Sequence, residues 1–195
     1  MFYEDGSHDV LCTGPDWTVR ASATTLANIH ASEDHDRRLY PVGWDAPGFG
    51  AEDWQPAKSF DRTSRQASIS ESTTCDSSRD SAADKYKETS AGTVCFDMGQ
   101  NCSTMVKIVV EGRAGSVVIV RYGESVREDG TTLMPDPLFK EFKTGVYSRF
   151  ILADTGGPET WQPDFCFTAA RYIQLDGVTL DAASNDLPVV HSVVN

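Results

Sequence analysis

Almost every apolar run in the chain is short, rich in Val, Ile and aromatics, and closed by Gly, Pro, Asp or Asn, and no stretch carries the 3.6-residue stripe of a long helix. That punctuation predicts an all-β protein, since a strand needs only about five or six residues between turn signals. After residue 93 the runs are TVCFDM, TMVKIVVEG, SVVIVRYGE, GVYSRFIL, FCFTAARYIQLDG and LPVVHSVV. Turn signals separate them at Arg113 to Gly115, Asp154 to Pro158 and Asp181 to Asn185. Alternation within the runs predicts inward sets Val106, Ile108, Val110 and Val117, Ile119, the two faces of an antiparallel β-sandwich of jelly-roll type.

The N-terminal part is less regular. FYEDGSHDVL predicts a hairpin about Asp5-Gly6, followed by a strand near Asp16 to Ser22. Ile29 to Tyr40 reads as extended, and Gly43 to Ala57 as a Pro/Gly/aromatic loop with one tight helical turn near Ala51 to Trp54. Phe60 to Ser90 is dominated by Ser, Thr and mixed charge, with almost no large apolar residue to offset the entropy of ordering. The expected organisation is residues 1–59 as N-terminal strands and aromatic loop of the sandwich, 60–90 as a long flexible insertion, and 91–195 as the main sandwich strands.

Charge narrows the function classes. Lys and Arg number 17 against 29 Asp and Glu, a formal net charge of -12. Phosphate backbones and anionic lipid surfaces need clustered cations, so nucleic acid and membrane are excluded as expected partners. An acidic surplus is compatible with neutral sugars and divalent cations, but more often it is a solvated surface that keeps a protein soluble. No apolar run approaches the ~20 residues of a membrane span, and the N-terminus as given shows neither the basic nor the apolar region of an export signal. Cytoplasmic and secreted locations are not separated by this. Five cysteines without regular spacing indicate neither a disulfide framework nor a zinc site. The four histidines show no ligand spacing, and no nucleophile motif or phosphate loop is present. No catalytic residue is assigned.

Three features carry candidate binding chemistry. In VCFDMGQNCSTMVKIVVEG, Gly99 is expected to leave the strand with positive φ, so that Gln100 and Asn101 project from the rim beside Asp97. SEDHDRR places Glu33, Asp34 and Asp36 within four positions, an oxygen set for a hard cation or a solvated strand edge balanced by Arg37 and Arg38. Trp17, Trp44, Trp54 and Trp161 sit beside turns, the last two in a repeated WQP triplet. Each is either a platform for a sugar ring or a cap on the core.

YEDGSHDVLCTGPDWTVRAS, NIHASEDHDRRLYPVGWDAPGFGAEDWQPA, TVCFDMGQN, VVIVRYGESVREDGTTL and ETWQPDFCFTAARYIQLDGV, in this order, resemble the β-rich N-terminal region of α-L-rhamnosidases, glycoside hydrolase family 78. The resemblance covers nearly the whole chain outside 60–90. It implies that the catalytic acids belong to an (α/α)6 barrel following the β domains, in cis or in trans, and that the start resembles the interior of the family's first β domain. Some family members carry a Ca²⁺-dependent L-rhamnose-binding module of carbohydrate-binding family 67, with ligands in GExYDN-type and GQN motifs. The resemblance implies a rhamnose-glycan and Ca²⁺ site at Asp36 and Asn101, with Trp44 or Trp54 as the stacking surface. Arg37 stands where the amide of the first motif would be, and a guanidinium cannot ligate a cation. Either the calcium site is lost or Arg37 turns outward and other oxygens complete the shell. A purely structural sandwich that supports the barrel is the alternative.

Overall fold

The structure, a computed structural model of the chain, describes residues 1–28, 32–58, 85–90, 92–133 and 146–194. These fall into two compact units, one with described residues 1–21 and 41–58, the other with 22–28, 32–40 and the chain from 85 onward. The chain therefore divides differently from the expected boundary at 59: residues 22–40 belong with the main sandwich. Of the expected insertion, residues 60–84 lie outside the described residues, while Lys85–Ser90 is a strand.

In the smaller unit the Asp5-Gly6 hairpin is present. Phe2 bridges His8, the Gly6 N–H donates to the Tyr3 carbonyl at 3.0 Å, and Gly6 has φ 83°. The strand expected at Asp16 to Ser22 shortens to β1 (Thr18–Val19), paired with β4 (Gln55–Pro56). The tight turn closes with Trp54 N–H on the Ala51 carbonyl at 3.0 Å.

The larger unit is built from β2 (Thr24–Asn28), β3 (Ser32–Asp36), β5 (Lys85–Ser90), β6 (Thr93–Thr104), β7 (Lys107–Glu111), β8 (Val117–Gly123), β9 (Ser125–Val126), β10 (Thr132–Leu133), β11 (Tyr147–Ile151), β12 (Glu159–Trp161), β13 (Thr168–Asp176) and β14 (Val189–Val194). Seven form one sheet in the order β2-β3-β11-β8-β13-β6-β5, and three form a second in the order β12-β7-β14. All described pairings between named strands are antiparallel except β3 with β11.

Both sheets contribute to one core: Val94, Phe96, Val118, Val120, Phe150, Ile173 and Leu175 from the first, Ile108, Val110, Trp161, Val190 and Val193 from the second. Phe150 stacks on Trp161 with centroids 5.7 Å apart, a direct contact between the sheets. The predicted inward set Val106, Ile108, Val110 is fully buried. The predicted set Val117, Ile119 is not: Val117 is 40% exposed, and Val118, Val120 and Tyr122 face the core. Arg121 decides the face, because it shares the parity of Val117 and Ile119 and meets Asp176 at 2.6 Å on the side away from the core.

Candidate functional site

The GQN break is a bulge rather than a strand end. Cys102 lies opposite Ala170 and Asp97 opposite Tyr172, so four residues of β6 face Arg171 alone. Gly99 has φ +82°, and its N–H donates to Asp97 Oδ1 at 2.9 Å. Arg171 grips both oxygens of Asp97 at 2.8 Å through Nε and Nη2. Gln100 and Asn101 are exposed as expected, and the Asn101 amide donates to Glu124 at 3.1 Å.

The structure does not bring Asn101 together with Asp36. Strands β11, β8 and β13 lie between β3 and β6, which at ~4.8 Å per step is ~19 Å across the sheet. Asp36 is also in register with Ile151, and Ile151 with Val117 at the start of β8, whereas Asn101 reaches Glu124 just past the end of β8. The two side chains occupy diagonal corners, so the expected shared rim is corrected: one ion cannot take both as ligands. Asp36 is committed locally as well. Its carboxylate accepts from Arg38 N–H, Nε and Nη2 at 3.1, 2.9 and 2.7 Å, which holds its pKa below the usual value. Arg37 instead stacks over the Tyr40 ring at 4.3 Å. Among the described residues no group of three His, Cys, Asp or Glu is placed to hold a metal ion. Trp44 and Trp54 belong to the smaller unit, Trp44 half exposed and Trp54 edge-on to Phe49 at 5.9 Å.

Ser32–Asp36 of SEDHDRR is an interior strand of the sheet, not a solvated edge, and Arg37 and Arg38 follow it in a 3-10 turn. Glu33 is fully buried, and its Oε2 accepts the N–H groups of Asp164 and Phe165 at 2.9 and 2.8 Å. Its Oε1 is buried with no hydrogen-bond partner. Burial pushes the Glu33 carboxyl up, against the pull of the two N–H groups. Nearby, burial and then the Glu33 charge push the Cys166 thiol up to about 11, and Tyr122 Oη donates to Ser148 Oγ at 3.4 Å. On the opposite face of β3, Asp34 accepts from Arg149 Nε at 2.9 Å and backbone N–H at 3.1 Å. Sequence spacing showed the acids, but Glu33 and Asp34 are bound by partners more than 110 positions away.

Among the described residues of the larger unit lies a cleft of about 330 Å³, at the small end of ligand pockets, which the sequence reading missed. One wall is the end of β7 and the turn after it, with Glu111, Arg113 and Ser116; the other is the loop before β14, with Ser184, Asn185, Asp186 and Leu187. Gly112 closes the base, since a Cβ there would meet Pro188 at 3.0–3.1 Å. A register shift in β14 between Val190 and Ser192 turns His191 toward Glu111, where Nε2 and Oε2 are 3.0 Å apart. Asp154, at φ 60°, adds a third carboxylate, and its N–H is held by Glu159 Oε1 at 2.8 Å. Ser184 Oγ receives the Asp186 N–H at 3.4 Å. Three carboxylates against one guanidinium favour neutral or cationic ligands, and Leu187, Pro188 and Val189 supply an apolar strip.

Fold and cleft together define a two-sheet β-sandwich module with a small polar cleft at the strand ends. The sequence pattern of the bacterial α-L-rhamnosidase concanavalin-like domain matches residues 87–194, and that of the α-L-rhamnosidase N-terminal domain matches residues 1–78; the chain belongs to the bacterial α-L-rhamnosidase concanavalin-like domain family. An α-L-rhamnosidase of Streptomyces avermitilis is 28% identical over 176 residues, covering 90% of this chain and 17% of that protein. Another, from Formosa agariphila, is 22% identical over 185 residues, covering 91% and 19%. The crystal structure of the S. avermitilis α-L-rhamnosidase complexed with L-rhamnose superposes with TM-score 0.73 at 25% identity, over 98% of this chain and 18% of that one. The α-L-rhamnosidase of Dictyoglumus thermophilum gives TM-score 0.74 at 23% identity, over 97% and 21%, a likeness of fold. The chain spans about a fifth of the length of these relatives.

Proposed function

We propose that the chain is the non-catalytic, carbohydrate-recognising and scaffolding portion of an α-L-rhamnosidase-like glycoside hydrolase, directed to L-rhamnose-containing glycans and standing beside a catalytic (α/α)6 barrel. One observation carries the reading: the two matching patterns are N-terminal and concanavalin-like domains, and together they take up this chain and about a fifth of whole rhamnosidases. A net charge of -12 suits a neutral glycan better than an anionic one. Recognition of a sugar needs only hydroxyl-binding groups around a concavity, and the cleft supplies carboxylates, an amide and serine hydroxyls.

A second reading, a purely structural sandwich, is favoured by the way acids are consumed internally. Asp34, Asp36, Asp97 and Asp176 are each gripped by an arginine. Purified chain incubated with an aryl α-L-rhamnoside is expected to release no aryl alcohol, and release would overturn the non-catalytic reading. A rhamnose-bearing polysaccharide cast into a native gel retards the chain if it recognises glycan and leaves its migration unchanged if it only supports.

A further inference from the structure

We propose that the hairpin at residues 1–9, with Val10 and Leu11 after it, is a self-association surface that takes a second copy of this chain across a twofold axis. No described residue of the smaller unit, 1–21 and 41–58, is buried, so that unit has no core of its own among the described residues. It nevertheless holds nine of the 17 large apolar side chains that the described residues leave exposed, against eight in the much larger sandwich unit. The densest run of them is at the hairpin, where Phe2, Val10 and Leu11 are 89%, 78% and 72% exposed. Phe2 bridges His8 with the two rings 5.7 Å apart, which puts both on one face; Met1 and Tyr3 fall on the other, where Tyr3 Oη donates to Asp9 Oδ2 at 2.7 Å. Every residue from Met1 to Thr13 is exposed, so neither face is covered. A lone two-stranded ribbon is marginal in water and needs a further layer to persist.

The exposed area fits a second copy. At roughly 200 Å² per aromatic and ~150 Å² per aliphatic side chain, Met1, Phe2, Tyr3, Val10 and Leu11 leave roughly 600 Å² open on each copy. Two such faces make about 1,200 Å², the lower bound for a specific interface. A twofold contact sets the same apolar patch against itself, so it needs no second kind of surface. Charge acts in the opposite sense: Glu4, Asp5 and Asp9 sit on the hairpin, and no Lys or Arg precedes Arg20 to balance them. Two copies therefore repel while their apolar side chains attract. Salt screens the first and leaves the second, so added salt strengthens this contact, where it would weaken one made by ion pairs.

Sedimentation equilibrium of the full 195-residue chain tests this. A monomer–dimer equilibrium is expected, with a dissociation constant of about 10 µM, as suits an interface at the small end of the range. It is expected to tighten severalfold as salt is raised from about 20 mM to about 500 mM. Val10→Glu/Leu11→Glu is expected to weaken the dimer more than about tenfold, with the main melting transition of the sandwich unchanged. Phe165→Glu/Phe167→Glu changes two side chains of the larger unit that are exposed to 60% and 57%, and is expected to leave the dimer as it is. A chain that stays monomeric at about 200 µM overturns the proposal, since that is well above the expected constant. A dimer that survives the hairpin variant, is lost in the Phe165/Phe167 variant, or comes apart as salt is raised overturns it as well.

Discussion

Glu33 Oε2 receives the Phe165 N–H at 2.8 Å across 132 positions of sequence, and does so from a side chain with no exposure at all. This bond and its neighbour on Asp164 tie the loop between β12 and β13 to the second strand of the large sheet. Glu33→Ala leaves two N–H groups without their acceptor and a buried void, and is expected to cost about 3–5 kcal/mol in denaturant unfolding. Glu33→Gln keeps an accepting oxygen and is expected to cost about 1 kcal/mol.

The same residue sets a pH signature. Because burial raises the Glu33 pKa above its ordinary 4.5, the folded state binds that proton more tightly than the unfolded chain. Stability from this site is full below 4.5 and falls as pH rises through the raised value. Melting midpoints recorded across that window should decline less in Glu33→Gln than in wild type.

His35 carries the opposite sign. Burial, then the Arg37 charge, lower its pKa below 6.5, so its contribution is present above 6.5 and lost as pH falls through the lowered value. The ring lies 6.0 Å from Phe150 and 6.4 Å from Tyr40, an environment that accepts a phenyl group. His35→Phe is expected to keep its midpoint on acidification from pH 7 where wild type loses stability.

Two glycines with positive φ separate strain from crowding. At Gly99 nothing lies within 4 Å of an added Cβ, so Gly99→Ala is expected to cost only the conformational term, about 1–2 kcal/mol. At Gly177 the Cβ would stand 2.6 Å from the Val117 carbonyl oxygen, so Gly177→Ala is expected to cost about 3 kcal/mol or more. Urea unfolding of the two variants checks the ordering.

The framework of the sandwich was legible because β7, β8, β11, β13 and β14 each coincide with a β-branched run closed by a turn residue. The inner face of β8 was misread because VVIV is apolar at both parities; Arg121 was the signal that could have settled it. Gly99 was read correctly as a positive-φ residue, yet β6 continues past it to Thr104, since a bulge and a strand end share the same local sequence. The placement of Asp36 with Asn101 needed strand order, which local pattern does not contain. The cleft was invisible for a related reason: a register shift at His191 turns that side chain toward Glu111, 80 positions away in sequence.

Isothermal titration of the purified 195-residue chain with L-rhamnose tests glycan recognition most directly. A saturable heat in the millimolar range, unchanged by Asp36→Ala or Asn101→Ala and by chelation of divalent cations, is the expected result. No heat at saturating sugar would contradict recognition and leave the purely structural sandwich as the function of the fold.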